Sequence, residues 1–167
     1  MRIIKANRKN GKRAFTLMEV VMALAVIGTM GAGAYVGFNS INAYAISSRL
    51  YTEAQACGQN QVDLILSKEP FDIVNSKIPA VLGGQVLAAN ASTTVTTPNV
   101  FVYTDPVSGN VVATGTMTTK ITNPADAMTF AGATTNLNTY LATVTVTYTY
   151  RNKTYNVSMD TARTADQ

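Results

Sequence analysis

The chain has 167 residues, enough for one globular domain with a modest core plus one long extra element. It has no histidine and a single cysteine, which removes the commonest general base, any internal disulfide and any zinc site built on cysteines. The net charge of +4 suggests a nucleic-acid partner only until the charges are placed: six of the thirteen basic residues (Arg2, Lys5, Arg8, Lys9, Lys12, Arg13) fall in the first fourteen positions, and from Phe15 onward seven bases face nine acids.

Residues 1–14 therefore read as a polar, basic leader. Residues 15–38 are apolar, and Val20 to Phe38 is a run of nineteen residues without a charge. As a helix that run spans about 28 Å, close to the hydrocarbon thickness of a bilayer. The basic flank predicts a cytoplasmic N-terminus with the remainder of the chain outside the cytoplasm.

The helical pattern continues past Phe38. Ala43, Ile46, Leu50, Ala54, Cys57 and Leu64 recur at spacings of three and four with Gln61 in the one gap, and polar residues lie between them. No proline interrupts until Pro70, and Gly58 weakens the helix by about 1 kcal/mol without ending it. One helix is expected from about Phe15 to about Leu66, transmembrane in its first half and amphipathic in its second.

Residues 70–99, with Pro79, Gly83-Gly84 and the threonine-rich run Ser92–Thr97, are expected to form a short helix or an irregular connection. Val100–Thr104 and Val111–Ile121 are strand-like and joined by the turn-rich Asp105–Asn110, and Asn123-Pro124-Ala125-Asp126 marks another break. The clearest β signal is the last hairpin. Val144, Val146, Tyr148 and Tyr150 alternate with threonines, Arg151-Asn152-Lys153 forms the tip, and Tyr155, Val157 and Met159 alternate on the return. After Asp160 the chain is expected to fray. The fold class is α+β: a long N-terminal helix packed through its second half on a roughly four-stranded antiparallel sheet. The expected organisation is leader 1–14, membrane helix 15–38 and head 39–167.

Chemistry concentrates where leader meets helix, in Gly11-Lys12-Arg13-Ala14-Phe15-Thr16-Leu17-Met18-Glu19-Val20. A carboxylate one turn into a membrane helix costs on the order of 3 kcal/mol near the bilayer centre and less toward its surface. Glu19 is therefore a functional candidate; otherwise it is an interfacial acid favoured by the helix dipole.

This segment resembles the signal of type IV prepilins and of type II secretion pseudopilins, specifically over residues 10–38. Further on, the resemblance rests on the order of elements and the hairpin Thr147–Met159. It implies a structural subunit of a pilus or pseudopilus, with no catalytic residues, cofactor, metal or direct nucleic-acid partner. Prepilin peptidase would cut between Ala14 and Phe15 and methylate the new amine of Phe15. Glu19 would pair with the Phe15 amine of a neighbouring subunit, and Gly28 would mark where the helix loosens in a filament. Other pilin or pseudopilin subunits and the inner-membrane assembly platform are the partners implied. Ala14 stands where most prepilins carry glycine, a departure expected to slow the cut.

The rival readings are a β-rich secreted domain released by ordinary signal peptidase after Ala34, in Ala32-Gly33-Ala34, and a plain single-pass anchored domain. Cys57 on the apolar stripe reads as an inert thiol. Asp105, Ser108 and Asn110 are explained by turn chemistry before calcium. The glycosylation patterns at Asn90, Asn152 and Asn156 read as chance, and Tyr148, Tyr150 and Tyr155 as sheet packing.

Overall fold

The computed structural model describes residues 15–105, 107–124, 127–130, 133–136 and 138–165. The leader, including Ala14, lies outside the described residues. The chain divides after Ala45 into two units, the second being the head, Ile46–Gln167.

A single helix, α1, runs from Leu17 to Ser67. It starts at Thr16, whose Oγ1 accepts the N–H of Glu19 at 3.2 Å, the N-cap arrangement expected of Thr three residues before Glu. It stops at Ser67, three residues before Pro70, in keeping with the disfavoured helical conformation of the residue preceding a proline.

After α1 the chain forms a turn around Asp72, whose carboxylate accepts the N–H groups of Val74 (2.9 Å) and Asn75 (3.1 Å). A 3-10 turn, Ala80–Leu82, follows and closes on Gly83 in the left-handed region at φ 89°. A side chain at Gly83 would also meet Thr93 Cγ2 at 2.8 Å, so that site requires glycine twice over.

Among the described residues six strands follow: β1 (Ser92–Thr104), β2 (Val111–Thr122), β3 (Ala127–Phe130), β4 (Ala133–Asn136), β5 (Thr139–Tyr150) and β6 (Lys153–Thr164). The main sheet is antiparallel throughout in the order β1-β2-β5-β6, and β3-β4 form a separate two-stranded ribbon between β2 and β5 in sequence. The α+β architecture is the one expected.

Second-half residues of α1 pack on this sheet. Leu50, Ala54 and Ile65 are fully buried beside Ile121, Tyr140, Val144 and Val146. Burying a side chain such as Ile65 contributes roughly 1.5–3 kcal/mol. The helix and β5 run in opposite directions. Arg163 of β6, paired with Tyr140 at the start of β5, reaches the Ile65 end of α1, whereas Tyr148 near the end of β5 lies within electrostatic reach of Tyr51. Phe101 lies across Gly115, its ring in the space a Cβ would fill (2.3 Å), and meets Tyr148 edge-on at 5.7 Å.

Four expectations need correction. Ser92–Thr97 is not a connection but the first half of β1; a register shift between Thr97 and Phe101 breaks the alternation and hides the strand's continuity. The chain does not fray after Asp160. β6 continues to Thr164, and Arg163 is 6% exposed, donating to the carbonyl oxygens of Ile65 (2.7 Å) and Lys68 and lying 5.1 Å from the Phe71 ring centre. The Ile65 carbonyl belongs to the last turn of α1 and the Lys68 carbonyl lies just past it, where carbonyls lack helical partners. Leu64 is 38% exposed and Ile65 takes its expected place in the core. Each helical residue advances about 100°, so Leu50, Ala54, Gly58, Gln61 and Ile65 share a sector of about 80° and Leu64 falls about 40° outside it. Gly58, not Cys57, lies inside that sector; a Cβ there would stand 3.3 Å from Met159 Sδ. Lastly, the ribbon β3-β4 was not expected, since its alanines and threonines carry no periodic apolar signal.

Candidate functional site

The first turn of α1 sets the local chemistry. Thr16 caps it, Glu19 is its one acidic residue, and Phe15 precedes it, 76% exposed. The N–H groups of a helix start carry partial positive charge, so this is a favourable place for a carboxylate within the segment. From Phe15 to Ser48, Glu19 is the only charged side chain. Thr16 was missed as a functional residue at the sequence level; the signal was the Thr-x-x-Glu spacing.

Beyond the first turn, every side chain from Leu17 to Asn42 is exposed. Leu17, Met18, Leu24, Ile27, Met30, Tyr35 and Phe38 are each more than 60% exposed. The helix contains a stretch of mean hydropathy 1.8, long and apolar enough to cross a membrane. Two of its hydroxyls bond within the helix: Thr29 Oγ1 donates to the Val26 carbonyl and Ser40 Oγ to the Val36 carbonyl, both at 2.9 Å. Such internal bonding suits a helix in hydrocarbon, where water is not available as a partner.

Gly28 sits nine residues beyond Glu19, about 14 Å along the axis, so the two do not form one site. A Cβ at Gly28, Gly31, Gly33 or Gly37 would meet nothing within 4 Å. These glycines leave shallow places on the helix surface where another backbone can approach closely.

The remaining candidates resolve into structural roles. Cys57 is half-buried, its Sγ 3.6 Å from the Val100 carbonyl oxygen, and burial followed by the nearby Glu53 charge pushes its thiol pKa up. Asp105 uses its carboxylate within its own turn, accepting the Ser108 hydroxyl at 2.6 Å and the Val107 N–H at 3.1 Å. Those bonds hold its pKa below the usual carboxylate value. Among the described residues no group of three His, Cys, Asp or Glu side chains converges on a metal position. Tyr148 stacks on Tyr155 at 5.3 Å, and Tyr150 is buried, so both pack the sheet.

Comparison with known families gives one match, the prokaryotic N-terminal methylation motif, over residues 9–35. No curated protein and no solved structure matches the chain. The matched stretch covers the basic flank, the capped first turn with Glu19 and the exposed apolar helix. Together these identify residues 9–35 as a type IV pilin-like prepilin segment.

Proposed function

We propose that the chain is a structural subunit of a type IV pilus or a type II secretion pseudopilus, made to assemble through α1. The observation that carries this reading is the methylation motif lying on a helix whose apolar residues are bare from Leu17 to Asn42. A surface of that size needs lipid, other helices, or first one and then the other.

In this reading the precursor sits in the inner membrane with its N-terminus in the cytoplasm and its head outside. Prepilin peptidase cuts between Ala14 and Phe15, which removes all six leader charges and frees a cationic amine on Phe15. That amine is methylated and pairs with Glu19 of a neighbouring subunit. Two opposite charges in a water-poor bundle attract strongly, and each would be costly alone, so the pair sets axial register between subunits. Gly28 serves as the point where the helix loosens on leaving the bilayer. The partners are the peptidase, other pilin or pseudopilin subunits and the assembly platform of the inner membrane.

Ordinary signal-peptidase cleavage after Ala34 fits less well, because Ala32-Gly33-Ala34 lies inside an unbroken helix. Intact-mass measurement of the membrane-extracted protein tests the choice. A chain beginning at Phe15, with one added methyl group, is the expected result. A start just after Ala34 overturns the reading in favour of a secreted domain, and an uncut Met1 overturns it in favour of a plain anchor.

A further inference from the structure

Six cations of the described head are exposed: Arg49, Lys68, Lys77, Lys120, Arg151 and Lys153. At the end where α1 enters, near Ile46, three of them lie over tyrosine rings. The Arg49 guanidinium is 5.7 Å from the centre of Tyr103, the Arg151 guanidinium is 5.7 Å from Tyr150, and Lys153 Nζ is 6.0 Å from Tyr155. All three cationic residues are exposed. Arg151 and Lys153 belong to the β5-β6 turn, which lies beyond the level of Tyr51 because β5 and the helix run in opposite directions. Two acids share this end: Asp105, which the bonds of its own turn keep ionised, and Glu53, one helical turn further into the head than Arg49, so the three cations leave a small positive excess.

The turn itself is unusual. Tyr150 pairs with Lys153, leaving a two-residue loop in which Arg151 (φ 49°) and Asn152 (φ 60°) both adopt left-handed backbone. That loop type selects for Asn or Asp followed by Gly, and arginine is uncommon there. A side chain kept at a position its backbone disfavours points to a role for that side chain.

Arg49 and Lys153 rest on half-buried tyrosines and Arg151 on a buried one, and exposed cations held in this way match a membrane surface, where positive charge meets lipid phosphate. We propose that this end of the head docks on the anionic headgroups of the bilayer that holds the first half of α1. This rests on the reading of residues 15–38 as a membrane span. Given that span, Ile46 stands eight positions beyond Phe38, so the head's near end stays within about 28 Å of the bilayer even on an extended chain. On an anionic surface each Lys or Arg shifts the docked-to-free ratio about fivefold, and Asp105 and Glu53 offset part of what the three cations supply. Removing the subunit from the membrane must undo this contact.

The test uses the full chain reconstituted in vesicles. The protein has no tryptophan, so Thr154→Trp, on an exposed position beside Lys153, supplies a single reporter. Its quenching by acrylamide is compared in phosphatidylcholine vesicles and in vesicles containing phosphatidylglycerol, with flotation run in parallel. Shielding only on phosphatidylglycerol, reversed by high salt, is the expected result. Arg151→Asn should weaken that shielding about fivefold while the head melts at the same temperature or higher, since asparagine suits the turn better. Equal quenching on both lipids in protein that floats overturns the docking proposal alone. An Arg151→Asn head that melts lower while shielding is unchanged also overturns it, by making Arg151 structural. Protein that does not float overturns the membrane span, and docking with it.

Discussion

Every side chain of α1 from Leu17 to Asn42 is exposed, whereas between Leu50 and Ile65 the same helix buries a side chain at nearly every turn. The difference is not one of helix propensity, because both stretches are rich in alanine, methionine and leucine or their equivalents. It lies in where the complementary surface comes from. The head supplies its own cover in the sheet face made by Ile121, Tyr140, Val144 and Val146. The first part has no cover within the described residues and must take it from outside the chain. Under the proposed function, stability is settled in one region and assembly in the other, and substitutions should separate the two.

The largest separation is expected at Glu19. Glu19→Val should abolish incorporation into a filament while leaving vesicle flotation and the melting of the head unchanged. Filament yield in cells expressing the variant alongside its partner subunits is the measurement. Normal yield would show that no charge pair is required. Ile65→Ala should do the reverse, lowering head stability by about 2–5 kcal/mol in denaturant unfolding through the cavity it leaves. Flotation should be unaffected, and a loss of membrane association would blur the division between regions. The smallest effect is expected at Gly58. Alanine there should raise stability by up to about 1 kcal/mol, because the atoms in its way are the flexible end of Met159. A loss of that size instead would mean that Met159 is held in place, and that close approach of helix to sheet requires glycine.

Much of the molecule was legible from particular residues. The uncharged run Val20–Phe38, the motif around Phe15 to Glu19 and the Val/Tyr–Thr alternation of β5 each carry a period or a charge pattern that local physics reads directly. Three features resisted for identifiable reasons. The strand β1 is split by an irregularity around Pro98 and Asn99, so neither half shows enough alternation to be seen as one element. The choice between Leu64 and Ile65 depends on a sector whose edge on the Ile65 side is marked by Gly58, and a glycine adds no hydrophobic signal to mark it. Arg163 looks like a solvated charge in a polar tail. Yet Val157, Met159, Thr161 and Arg163 keep the two-residue period of the covered face, and that period was the clue. As for the candidate site, Phe15 and Glu19 were visible in sequence, but the capping role of Thr16 requires the observed geometry.

The Arg163 bridge to Ile65 and Lys68 joins residues 98 and 95 positions apart. Contacts of such long sequence separation form late, since the intervening chain must be made and closed before they are available. The covered stripe of α1 is thus the first part of the head to be synthesised and among the last to be sheltered. Until β5 and β6 exist, the covered stripe lacks its sheet, and the nascent chain exposes an apolar surface that the finished one withdraws. The arginine near the end of β6 marks the moment when that surface is closed off.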